Sequence, residues 1–140
     1  MLITETQTAS ISYIDEYRLL IKLKENIEID VEEATENYEA VLKLTKGQKY
    51  AVLIDARVPV QVSPEARKYG SNQERQKDLI AQAIIVNTLA NRLIGNFIIN
   101  FNKPFAPTKL FSDEETAMEW LKEQIVKETS SKFSEDRNAE

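Results

Sequence analysis

The stretch Tyr50-Ala51-Val52-Leu53-Ile54-Asp55 decides the fold. An unbroken apolar run leaves no face for water, so a strand built from it must be covered on both sides, the condition of a central strand in a parallel sheet. Parallel neighbours need crossovers, and the flanking sequence supplies them as helices. Upstream, Asp30 followed by Glu33 is a capping box, and Val31, Ala34, Tyr38, Val41, Leu42 and Thr45 repeat at helical spacing up to Gly47. Downstream, Ser63-Pro64 combines an N-cap with a first-turn proline. This pair predicts a helix from Pro64 towards Tyr69, interrupted at Gly70 and resuming over Asn72 to Asp78.

Further out, Ala81 to Val86 reads as a second buried strand, after which Asn87-Thr88 caps a helix from Leu89 to about Asn102. Thr108 to Phe111 is a short last strand. Ser112 and Glu115 form another capping box, and Ala117, Met118, Trp120, Leu121 and Ile125 give the final helix its apolar face. On the N-terminal side, Thr8 to Ile14 and Arg18 to Lys24 alternate with period two and are joined by Asp15-Glu16-Tyr17, as in a hairpin. The order is ββαβαβαβα: an α/β fold with a mostly parallel five-stranded sheet and an antiparallel edge strand. Residues 1–127 are read as one domain and residues 128–140 as a polar C-terminal tail, expected from its composition to be disordered.

Composition removes whole classes of function. A chain of 140 residues with 42% hydrophobic and 29% charged residues can bury a core without a staple. Cysteine is absent, and the N-terminus lacks the basic and apolar run of an export signal, so a cytoplasmic address is expected. The densest apolar stretch, Leu89 to Phe101, is broken by Asn91, Arg92, Asn96 and Asn100, so no transmembrane segment is expected. A net charge of −5 disfavours nucleic acid as a partner. Histidine is absent too, which removes every Ser-His or Cys-His nucleophile pair. Gly47, Gly70 and Gly95 are too scattered for a phosphate-binding loop.

Two stretches carry a family resemblance. One is Leu53-Ile54-Asp55-Ala56-Arg57 leading to Val62-Ser63-Pro64-Glu65-Ala66-Arg67; the other runs from Asn100 through Pro104, Pro107 and Ser112 to Glu115, with Ala117, Trp120 and Leu121. Together they resemble the small bacterial SpoIIAA-like (STAS) proteins, also likened to the CRAL-TRIO lipid-transfer fold and mostly without assigned function. The resemblance covers about Ala9 to Val126. In the anti-sigma factor antagonists of that class a serine at a helix start is phosphorylated, and Ser63 stands at the comparable place. Val62 and Pro64-Glu65-Ala66 depart from the antagonist motif, so Ser63 is read first as an N-cap and only second as a regulatory phosphosite.

Asp55, Asn87 and Ser112 each follow a strand and so should share the C-terminal edge of the parallel sheet, where open α/β folds bind ligands, with Arg57 and Arg92 alongside. Two guanidinium groups and helix N-termini there suit a small anion; the plainer reading pairs Asp55 with Arg57 and leaves Asn87 and Ser112 as caps. No catalytic residue, metal ligand or cofactor is assigned, because Asp55 has no second carboxylate at a working spacing. The Leu89 to Asn102 helix is more apolar than a core stripe requires. Phe97, Ile98 and Phe101, with Phe105 in the following loop, are candidate interface residues. The alternative is a helix buried between the sheet and its neighbour. The sequence thus points to a non-catalytic binding or regulatory module, homodimeric and open to a protein partner, with peripheral membrane contact left open. The alternative is a carrier or sensor of a small apolar or amphipathic ligand.

Overall fold

The computed structural model describes the backbone of residues 3–138 and the side chains of residues 3–130. In chain order its elements are β1 (Ile3–Glu5), β2 (Ala9–Tyr13), β3 (Arg18–Leu23), β4 (Ile27–Ile29), α1 (Val31–Thr45), β5 (Tyr50–Asp55), β6 (Val60–Val62), α2 (Pro64–Ser71), β7 (Leu79–Ile85), α3 (Leu89–Asn102), β8 (Thr108–Phe111) and α4 (Glu114–Asn138). One sheet has the order β1-β2-β3-β5-β7-β8, and β4 with β6 forms a separate parallel pair. The ladders β1/β2 and β2/β3 are antiparallel, whereas β3/β5, β5/β7 and β7/β8 are parallel. The α/β architecture read from the sequence is present, with six strands in the main sheet rather than five. The added strand, β1, pairs Ile3–Glu5 with Ser10–Ser12. Three residues are too few to show a period.

β5 lies inside the sheet and is covered on both faces. Val52 joins Ala9, Ile11, Leu19, Ala40 and Val41 under α1, while Ala51 and Leu53 join Ala81, Ala83, Ile85, Phe111, Ala117 and Leu121 under α4. Each large apolar side chain buried in this way contributes about 1.5–3 kcal/mol. Ala81, Ala83 and Ala117 are fully buried, and their small side chains let α4 lie close to β7. On the α1 face, α2 touches both α1 and α3, and α3 rests on β8. There Gly95 is at closest approach: a Cβ placed on it would lie 2.6 Å from Leu110 Cδ1.

Three local expectations change. α2 continues through Gly70 to Ser71, and residues 72–78 form turns rather than a resumed helix. Asn72 Oδ1 accepts the Arg75 backbone N–H at 2.9 Å and the Asn72 carbonyl accepts the Gln76 N–H at 3.2 Å, a single capped turn that is not extended before Leu79 enters β7. The Arg75 guanidinium then sits over the rings of Tyr69 and Tyr38, 4.4 and 5.7 Å from their centroids. The cap of α4 is Asp113, whose Oδ1 accepts from the Thr116 N–H at 2.8 Å, and not Ser112. Thr88, and not Asn87, caps α3 by accepting from the Asn91 N–H at 3.0 Å. α4 spans Glu114–Asn138.

Candidate functional site

The parallel register places Lys22, Asp55, Ile85 and Phe111 in one row across the C-terminal edge of the sheet. Asp55 is closed by Arg57. The guanidinium Nε and Nη2 donate to its two oxygens at 3.0 and 2.9 Å, and the Arg57 backbone N–H adds a third bond at 3.2 Å. These bonds hold the Asp55 carboxyl below its usual range, the Arg57 side chain contributing most and partial burial opposing. An ionised acceptor with both oxygens engaged cannot serve as a proton donor. Asn87 Nδ2 makes a long 3.4 Å contact with the Arg57 carbonyl, and Arg92 Nη1 donates to Ser112 Oγ at 2.9 Å. The five edge residues therefore divide into two bonded sets, Asp55 with Arg57 and Asn87, and Arg92 with Ser112. Among the described residues, no group of three or more His, Cys, Asp or Glu side chains is placed to hold a metal ion.

Ser63 caps α2 by accepting from the Ala66 N–H at 3.0 Å. Its hydroxyl proton goes to Asp30 Oδ1 at 2.8 Å, so the caps of α1 and α2 are joined side by side. That bond is the main reason the Asp30 carboxyl lies below its usual range, with the Val31 N–H second. The chain is brought to this point by the β4/β6 ladder, which pairs Ile29 with Val62 immediately before the two caps.

Among the described residues, exposed large apolar side chains are concentrated on α3. Leu89, Leu93, Ile94, Phe97 and Phe101 are 73%, 63%, 57%, 69% and 74% exposed, and Phe105 in the following loop is 54% exposed. Together these side chains offer water on the order of 800 Å² of apolar surface, more than the ~300–600 Å² of the largest patch on an ordinary monomer. Of the four interface candidates, Phe97, Phe101 and Phe105 lie on this surface. Ile98, like Gly95 and Ile99, is half-buried. The burial of the whole helix between sheet and neighbour is not what forms. α3 packs on the short edge strand β8 and touches α2, and its outer side is left uncovered.

A charge pattern completes the face and was readable in the sequence. Between Asp78 and Asp113 the chain has no acidic residue, and its basic residues there are Arg92, Lys103 and Lys109. The excess of acid that makes the whole chain negative lies elsewhere. An open groove of about 470 Å³ follows the end of α3, lined by Ile99, Asn100, Lys103, Pro104, Phe105 and Pro107 among others. Among the described residues, no helix is long and apolar enough to cross a membrane.

This sheet order with its four helices defines a SpoIIAA-like α/β domain. An uncharacterized protein of the DUF3478 family from Shewanella loihica PV-4, solved with a SpoIIAA-like fold, is similar at 20% identity and a TM-score of 0.58, over 86% of this chain and 99% of that one. The chain belongs to the DUF7793 family, a domain of unknown function that matches residues 12–125. No curated protein matches it.

Proposed function

We propose that this protein is a non-catalytic interaction module of the cytoplasm that acts by protein–protein contact through the outer face of α3. The observation that carries the reading is the area and composition of that face: about one side of a standard interface, on the order of 800 Å², apolar along its ridge and built on a segment of chain without acidic residues. Catalysis is not part of the reading, because Asp55 is committed to Arg57 and has no partner for proton transfer.

A second reading, a carrier of a small apolar or amphipathic ligand, draws on the groove beside Ile99, Pro104 and Phe105. Its volume suits such a ligand, but ligand sites bury most of what they hold, and this groove is open. A photoreactive phenylalanine analogue at Phe97, with Tyr17 as an exposed control position, separates the two in living cells. Protein adducts at 97 and none at 17 are expected. Absence of any protein adduct at 97, with a small molecule retained in native mass spectrometry, would replace the docking reading by the carrier one.

A further inference from the structure

We infer that the occupant of the α3 face is a second copy of this chain, with the two α3 helices packed antiparallel about a two-fold axis that crosses the outer ridge midway between Leu93 and Phe97, at the height of Gly95. The inference rests on the proposed reading of α3 as the docking surface and adds what docks there.

Leu89, Leu93, Phe97 and Phe101 recur every four residues and therefore form a single ridge along the helix, and all four are largely exposed. The midpoint of that row lies at the height of Gly95. Reversing the helix about that point places Leu89 opposite Phe101 and Leu93 opposite Phe97, so every contact joins one medium and one large side chain. A parallel pair would instead set leucine on leucine at one end and phenylalanine on phenylalanine at the other, leaving a gap and a crowded end. A ridge that maps onto itself when reversed is the pattern an isologous two-fold contact requires.

Packing and charge point the same way. The Phe97 and Phe101 rings are already stacked, 6.3 Å between centroids and 15° apart in plane, so the larger half of the ridge is preformed. The one charge within α3, Arg92, is turned to Ser112 rather than set in the ridge. Closing the pair therefore buries no unpaired charge, the step that most often makes an interface unfavourable. Exposed Asn96 and Asn100 flank the ridge and can donate and accept across the axis. The exposed area, on the order of 800 Å² per copy, is that of one side of a stable standard-size interface.

The chain has no cysteine, so disulfides between introduced cysteines report the pairing directly. Leu89→Cys and Phe101→Cys proteins are mixed and oxidised, and each is also oxidised alone. The expected result is a covalent dimer in the mixture and little in either separate sample, because residues 89 of the two copies lie about 18 Å apart along an antiparallel pair. Sedimentation equilibrium at tens of micromolar accompanies it. The wild-type chain should be a dimer, and Phe97→Glu a folded monomer by circular dichroism, with association weakened at least about 30-fold. Self-crosslinking of Leu89→Cys in preference to the mixed product overturns the antiparallel arrangement. A monomeric wild type overturns the dimer; if the probe at Phe97 then marks another protein, or the monomer sediments with vesicles of anionic lipid, the occupant is that protein or that surface. The docking reading survives the protein adduct and falls with the vesicle result.

Discussion

Ser63 shows what a local pattern carries and what it leaves out. The Ser-Pro pair foretells a helix start, and the cap is there, but the hydroxyl also donates to Asp30, 33 residues earlier in the chain. No local pattern contains that partner; it depends on the β4/β6 ladder, two three-residue strands without a readable period. The consequence is specific. Ser63→Ala should lower stability by about 1 kcal/mol through the lost cap. Ser63→Asp keeps a capping oxygen but sets a carboxylate against Asp30, so at neutral pH it should be at least as unstable as Ser63→Ala. Urea melts should show that deficit shrinking on acidification, as the carboxylates protonate, and Asp30→Asn should partly rescue it. A fully stable Ser63→Asp protein at pH 7 would contradict the linked caps. Asp55 is the opposite case, since its partner Arg57 is two residues away and legible. With the guanidinium 41% exposed, Asp55→Asn should cost no more than about 1 kcal/mol. The Asp55 carboxyl lies lower in the fold than its unfolded value of 3.8, so its contribution is complete above that pH and fades as pH falls through the folded value. The two proteins should therefore differ at pH 6 and converge in acid, and a difference that grows below pH 4 would exclude the pair as its source.

At the scale of elements, the excess apolar character of α3 is plain in the sequence, whereas its placement is not. Whether Phe97 faces a core or water depends on what lies beyond β8. The strand order makes β8 the edge, so the helix reaches past the sheet and leaves its ridge uncovered. Gly95 carries the other half of that placement, because its missing side chain lets α3 settle on the buried Leu110. Gly95→Ala should gain about 1 kcal/mol of helix propensity and lose about 1–3 kcal/mol by overpacking against Leu110, for a net loss near 1 kcal/mol. In a Leu110→Ala background the obstruction is gone, and the same substitution should become stabilising. Equal effects of Gly95→Ala in both backgrounds would show that Leu110 does not limit the approach of the helix. The cap of α4 is a smaller instance of the same ambiguity. Ser112 and Asp113 are both good capping residues, and the choice of Asp113 leaves the Ser112 hydroxyl to Arg92 on α3.

For the whole molecule, the apolar run of β5 was enough to place a central parallel strand and, with the helices on either side of it, the α/β class. What it could not supply were the three-residue strands, whose existence rests on pairing rather than on pattern. β5 also begins with a residue that ties the fold to pH. Tyr50 is buried in the core under α1, its backbone N–H bonded to the Asp78 carbonyl at 3.0 Å. Burial, with smaller contributions from Tyr38 and Asp78, pushes its phenol from 10.0 up to about 12. The neutral phenol is the form the fold holds, while the unfolded chain gives up the proton from about pH 10. Between those two values the unfolded state binds fewer protons, so stability must fall as pH rises, by up to about 1.4 kcal/mol per unit from this residue alone. Ionisation of Tyr50, followed by phenolate absorbance, should therefore coincide with loss of the far-ultraviolet dichroism of the sheet and helices. Tyr50→Phe should fold normally below pH 9 and lose less stability than the wild type from pH 10 to 12. If instead Tyr50 ionises while the dichroism is intact, the strand that organises the sheet is open to hydroxide, and the closed core under α1 is not the state the protein holds in alkali.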